Sequence, residues 1–249
     1  MIIHDHDLYV EQHGAADGPP VVLLHHGLGS VSSWQRQIDP LVQAGYRVIA
    51  YDRWGFGRSP ARGDSPAPHF RQDRLDLLAL LDDLGLERAA FIGHSDGGTL
   101  ALLLALDAPE RVACLAVVAA HIYIEPQMLA GIQETYAAFG ARGPFYRRLA
   151  QLHGEKVELL VNAWQAAWRS ESFRNWDLRP RLAAIGCPAY VVQGREDEYA
   201  TPQHAYDLFS ALPNAGLWLA PGAGHMLPQN QPRVFAQFML CFLNSCWSA

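Results

Sequence analysis

Six residues constrain this chain more than any others: Gly93-His94-Ser95-Asp96-Gly97-Gly98, set between a β-rich run at 89–92 and an apolar run at 99–106. A serine at such a junction needs small neighbours, because the strand must turn sharply into the helix and hold the serine in a strained backbone geometry. Gly93 and Gly97 fill the two glycine positions of a G-x-S-x-G pattern, and Gly98 adds room for close helix packing. The run at 99–106 is apolar nearly all round and is stopped by Asp107-Ala108-Pro109. A helix without a polar face is expected to be buried against a sheet. Five-residue patterns recur by chance. The strand before this one and the helix after it are what make it informative.

The rest of the chain supplies a sheet for that helix. Short runs at 21–24, 47–51 and 89–92, bounded by Gly, Pro or Asp, read as buried strands of a largely parallel sheet. Between them, 34–44 and 69–84 read as helices. The second sets Leu77, Leu78, Leu81 and Leu84 on one face, with Arg71, Asp73, Asp82 and Asp83 largely outside it. Alternating β and α gives right-handed βαβ crossovers. A strand is expected at 114–119. The segment 122–181 is rich in aromatics and has no strand pattern, so it reads as a helical insertion covering the sheet's carboxyl edge. The alternation resumes with strands at 189–193 and 216–220, a helix at 203–211 and a closing helix at 232–243, where Pro232 suits the first turn. The expected fold is α/β, a mostly parallel sheet with helices on both faces. Residues 1–121 and 182–249 form the body, and 122–181 form an inserted lid. A length of 249 residues fits one large domain with an insertion.

Composition excludes several classes of function. Half the residues are hydrophobic and 18% are charged, enough for a large core and unlike a disordered chain. Lys156 is the only lysine, the net charge is −6 and there is no basic run, which argues against nucleic acid and against a polybasic membrane patch. The N-terminal residues place acids and histidines where a secretory signal needs a basic start and an apolar run, so a cytoplasmic location is the expectation. The apolar stretch at 100–106 falls far short of a bilayer span. Cys114, Cys187, Cys241 and Cys246 lie in or beside apolar segments without C-x-x-C spacing and read as buried free thiols.

A serine hydroxyl is a weak nucleophile until a base removes its proton. His225, in Pro221-Gly222-Ala223-Gly224-His225 after the strand at 216–220, sits on a loop of small residues able to reach the sheet's carboxyl edge. Asp197, in Gly194-Arg195-Glu196-Asp197-Glu198 after the strand at 189–193, is the expected acid, with Glu125 as the alternative. The chain order is then Ser95, Asp197, His225. Acyl transfer also needs donors for the developing oxyanion. The backbone N–H of Asp96, at the positive end of the buried helix, is one expectation. The N–H of Leu28, in His25-His26-Gly27-Leu28-Gly29, is the other.

With these residues in place, the chain resembles the α/β-hydrolase-fold serine hydrolases. His26-Gly27, Asp52 to Ser59 (DRWGFGRS), Gly93 to Gly98, Gly194-x-x-Asp197 and Gly224-His225 match that superfamily's motifs in order over about residues 20–245. The resemblance implies a cofactor-independent triad enzyme acting on a small molecule, without a metal. The similar lid-bearing members include carboxylesterases, enol-lactone hydrolases, carbon–carbon bond hydrolases, thioesterases and cofactor-free haloperoxidases. Asp96 departs from the pattern, since relatives more often carry an uncharged residue there. Its carboxylate either favours the helix N-terminus or faces the pocket and disfavours anions. Epoxide hydrolases and haloalkane dehalogenases need a carboxylate nucleophile where Ser95 stands.

The expected activity is cleavage of a small or medium carboxylic ester, lactone or thioester through an acyl-enzyme on Ser95. One alternative is carbon–carbon bond hydrolysis of a ring-cleavage product with the same triad, for which Arg147, Arg148 or Arg169 would hold a carboxylate. The alternative of another class is a ligand-binding receptor on a hydrolase fold. Other residues carry blander expectations. His4-Asp5-His6-Asp7 resembles a metal run, but alternation along an edge strand places its side chains on different faces. His25 and His26 are adjacent and cannot both enter the site, and His94 packs beside the elbow. Asp52 and Arg53 are expected to fix a loop. His121, Trp164 and Trp168 are candidate substrate contacts, the two tryptophans sharing a helical face four residues apart.

Overall fold

The computed structural model describes residues 1–63 and 70–247. A short antiparallel hairpin, β1 (Ile2–Ile3) and β2 (His6–Asp7), precedes β3 (Val10–His13) and β4 (Pro20–Leu24). Then come α1 (Gln35–Gln43), β5 (Arg47–Tyr51), α2 (Phe70–Asp83), β6 (Ala89–His94), α3 (Asp96–Asp107) and β7 (Val112–Val118). Five helices intervene before the next strand: α4 (Pro126–Gly140), α5 (Pro144–His153), α6 (Val157–Trp168), α7 (Glu171–Arg174) and α8 (Arg179–Leu182). The chain closes with β8 (Ala189–Gly194), α9 (Pro202–Ala211), β9 (Ala215–Ala220), α10 (Leu227–Asn230) and α11 (Pro232–Trp247).

β3 to β9 form one seven-stranded sheet in the order β3-β5-β4-β6-β7-β8-β9, parallel except for β3 against β5. Period-two alternation divides its side chains between two cores. Val22 and Leu24 pack with α2 and α3, while Val21 and Leu23 pack with α1 and α11. α3 buries Leu100, Leu102 and Leu104 completely, each worth about 2 kcal/mol of burial. The chain passes from β4 outward to β5 and then crosses to β6 on β4's other side. The carboxyl ends of β4 and β6 therefore flank a topological switch point, where open α/β sheets bind their ligands.

Several sequence expectations need correction. Asp73 is buried, because it pairs with Arg53 at 2.8 Å and Arg62 at 2.7 Å. Two guanidinium partners offset the cost of burying its charge. His69, expected at the start of that helix, lies outside the described residues. Trp34 belongs to a 3-10 turn before α1, and the buried helix begins at Asp96 rather than at 99. Ala119 lies beyond β7 with φ 48°. Cys114 alone of the four free cysteines is buried, and Cys241 is exposed. His4 and His6 do not diverge: His4 sits in a turn with φ 51°, and both rings point at Asp76. Among the described residues, no helix is long and apolar enough to cross a membrane.

Candidate active site

Ser95 stands between the end of β6 and the start of α3 with φ 54° and ψ −119°, a backbone region that L-residues rarely occupy. Its N–H donates to the Val118 carbonyl at 2.8 Å, which fixes the turn against β7. The flanking glycines are required by close approach. A methyl at Gly97 would lie 2.1 Å from the Leu24 carbonyl oxygen, and one at Gly93 would lie 2.3 Å from that of Gly97. The small-residue pattern thus reflects backbone packed on backbone.

The loop after β8 brings Asp197 to the loop after β9. His225 Nδ1 donates to the Asp197 carboxylate, 3.0 Å from each oxygen. Asp197 Oδ1 also accepts from the Tyr199 N–H at 2.8 Å, and the His225 N–H donates to Glu198 at 2.7 Å. Burial opposes charge on both partners. For His225, the Asp197 carboxylate and its hydrogen bond outweigh burial and raise the pKa above the usual 6.5. For Asp197, the attraction of His225 and the hydrogen bonds outweigh burial and lower it. A general base must be neutral to accept a proton. With His225 as the expected base, the acid limb of kcat/KM should reach half-height above pH 6.5 and fall as pH drops. A pH–rate profile with its midpoint below 6 would count against His225 as the base.

Glu125 is placed elsewhere. Its carboxylate accepts from the Thr201 N–H and hydroxyl and lies 3.0 Å from His204 Nδ1, so it anchors the start of α9. Asp52 accepts from the Val31 and Arg58 N–H groups, and Arg53 pairs with Asp73. His25 is also committed: its Nδ1–H donates to the His26 carbonyl, and its Nε2 accepts the Arg53 N–H. His94 donates from Nε2 to the His225 carbonyl at 2.9 Å, and burial lowers its pKa to about 3.

Ser95, His225, Leu28, Asp96, His121, Trp164 and Trp168 line one cavity of about 590 Å³, roofed by α4, α5 and α6. As the first residue of α3, Asp96 has an N–H with no intrahelical acceptor. Its carboxylate lies 3.8 Å from Arg53, and burial raises its pKa to about 6 despite that cation. A methyl at Gly27 would lie 2.7 Å from Asp96 Oδ2 and 2.4 Å from Trp164 Nε1. Asp96, the backbone of the loop after β4 at Gly27 and a roof tryptophan therefore meet at one point. Of the three arginines weighed as carboxylate partners, Arg148 lines the cavity and Arg147 and Arg169 do not.

Some residues at the site escaped the sequence reading. His153 on α5 accepts the Gly57 N–H at Nδ1 and donates from Nε2 to the Leu28 carbonyl at 3.1 Å, tying the roof to the loop that carries Leu28. Tyr199 places its ring 4.5 Å from that of His225 and bonds Thr135 on α4 through its hydroxyl. Met128, Ile132 and Thr135 line the cavity from α4, and their three- and four-residue spacing is the helical-face signal that could have revealed them.

Residues 21–238 match the alpha/beta hydrolase family. The chain belongs to that family. It is 32% identical over 260 residues to a putative carbamate hydrolase RutD of Variovorax paradoxus (strain S110), covering 95% of this chain and 96% of that protein. It is 29% identical over 267 residues to a 2-hydroxy-6-oxo-6-phenylhexa-2,4-dienoate hydrolase of Comamonas testosteroni, covering 95% and 92%. A solved hydrolase from Pseudomonas aeruginosa PA01 superposes with a TM-score of 0.79 at 27% identity, covering 96% of this chain and 94% of that one. The chain is an α/β-hydrolase-fold enzyme related to 2-hydroxy-6-oxo-6-phenylhexa-2,4-dienoate hydrolases and to an N-acyl homoserine lactone degrading enzyme.

Proposed function

We propose that the chain is a serine hydrolase of small carbonyl substrates, with residues 122–181 as a lid over the site. The observation that carries this reading is that His225, held by the Asp197 carboxylate, borders the same cavity as Ser95 on its strained turn. Ser95 Oγ attacks the carbonyl carbon while His225 Nε2 takes its proton, and Asp197 holds the imidazole tautomer and stabilises the imidazolium. The N–H groups of Leu28 and Asp96 receive the oxyanion. Collapse breaks the bond to the leaving group, which takes the proton from His225. Water, deprotonated by His225, then releases the acid from Ser95.

Two readings of the broken bond draw support from different observations. The relatives that hydrolyse 2-hydroxy-6-oxo-dienoates support carbon–carbon cleavage better than simple ester hydrolysis. In that reaction the departing carbon needs an electron sink, and among the described residues Arg148 is the one arginine or lysine along the cavity wall available to the substrate's carboxylate. Asp96, Glu134 and Glu198 also line the cavity, and this acidic balance supports an uncharged ester, lactone or thioester. Side-by-side kinetics on aryl esters of graded acyl length, a lactone, an acyl thioester and 2-hydroxy-6-oxo-6-phenylhexa-2,4-dienoate separate the readings. A kcat/KM for the dienoate at least 100-fold above the best ester establishes carbon–carbon cleavage, and the reverse order establishes ester-type cleavage. Absence of fluorophosphonate labelling of Ser95 in the folded protein would leave the receptor reading instead.

A further inference from the structure

We propose that His4, His6 and Asp76 form a binding site for one divalent transition-metal ion of the zinc type, which clips the N-terminal hairpin to α2. His4 Nδ1 lies 3.1 Å and His6 Nε2 lies 3.2 Å from Asp76 Oδ1, and one ligand atom from each residue falls within 4.8 Å of the other two. Ligand atoms on a tetrahedral ion with bonds of about 2.0–2.2 Å stand roughly 3.3–3.5 Å apart. Both histidine-to-aspartate edges are already near that length.

The hydrogen-bonded alternative leaves the carboxylate unevenly served. Oδ1 faces both imidazoles and the Gln72 amide, which donates at 2.8 Å, whereas the buried Oδ2 has no hydrogen-bond partner among the described residues. Asp76 is 1% exposed, so that lack carries a cost. The nearest cation, Arg62, is 3.9 Å from Oδ2 and makes its short ion pair, at 2.7 Å, with Asp73. A bound ion would sit on Oδ1 between the two imidazoles, while Oδ2 stays turned toward Arg62.

The site is also pre-shaped. The His6 ring stacks on Trp54 with centroids 3.8 Å apart, and Arg62 lies over the same indole, which fixes the direction of Nε2. The His4 side chain is 46% exposed and leaves a path from solvent. Two nitrogens and one oxygen suit zinc, nickel or copper rather than magnesium or calcium, which prefer all-oxygen shells. Two-residue strands have little stability of their own. The hairpin nonetheless carries Ile3 and the adjoining Leu8 into the core that contains α2, and an ion joining His4 and His6 to Asp76 secures that contact. None of the three residues lines the catalytic cavity, so the clip is separate from hydrolysis.

Isothermal titration of the untagged, chelator-stripped full chain with zinc sulfate tests this. One zinc per chain is expected, with affinity reduced at least 10-fold in both His4→Ala and His6→Ala. Saturating zinc should raise the melting temperature of the parent protein and slow hydrogen exchange at residues 2–8. Neither effect is expected in His4→Ala, whose exposed side chain can be removed without disturbing the core. Failure to bind zinc, equal binding by parent and both variants, or equally tight binding of magnesium would each overturn the assignment.

Discussion

Ser95→Ala should lower kcat by about 10⁶-fold while leaving the fold intact, because removing the nucleophile of a triad costs nearly as much as removing the whole triad. The substitution deletes one oxygen. The Ser95 N–H bond to Val118 and the unusual φ are backbone properties that alanine keeps. The variant should show unchanged circular dichroism and no fluorophosphonate adduct. Substrate binding should persist, since the cavity wall from Leu28 to Trp168 is untouched. Residual turnover within 100-fold of the parent, measured on enzyme freed of wild-type contamination, would refute the nucleophile assignment.

The parts of this architecture governed by local pattern were legible in the sequence. The buried parallel strands are unbroken aliphatic runs, so β4 and β6 fall where periodicity places them, and α3, which has no polar face, covers the expected apolar run but starts three residues before it. The elbow was legible for a related reason: glycine is required wherever backbone meets backbone, as at Gly93 and Gly97. What periodicity missed depends on partners distant in the chain. Asp73 reads as a surface acid until Arg53 and Arg62 arrive from another loop, and His4 and His6 read as diverging until a turn breaks the alternation. His153 lies 125 residues from Leu28, and nothing in either local sequence announces their hydrogen bond. The two candidate acids lay between these cases. Asp197 and Glu125 each follow a strand, and only the tertiary arrangement puts one on His225 and the other on Thr201 and His204.

That difference makes the two acids separable by experiment. Asp197→Asn should lower kcat by about 10⁴-fold, the scale seen when a triad carboxylate becomes an amide. The amide nitrogen, facing His225 Nδ1, would donate where the carboxylate accepts. Nδ1 would then accept, the ring proton would sit on Nε2, and that nitrogen could no longer take a proton from Ser95. The remaining oxygen can still receive the Tyr199 N–H, so the loop should hold its shape. Loss of the Asp197 charge also removes the main influence raising the His225 pKa, so the acid limb of the residual activity should move to lower pH. Glu125→Gln should behave in the opposite way. It weakens bonds to Thr201 and the contact with His204 at the start of α9, lowering the melting temperature by a few degrees for a loss of about 1 kcal/mol, with kcat within a few-fold of the parent. Should Glu125→Gln lose activity on the Asp197→Asn scale while keeping its stability, the acid would have to be reassigned to Glu125.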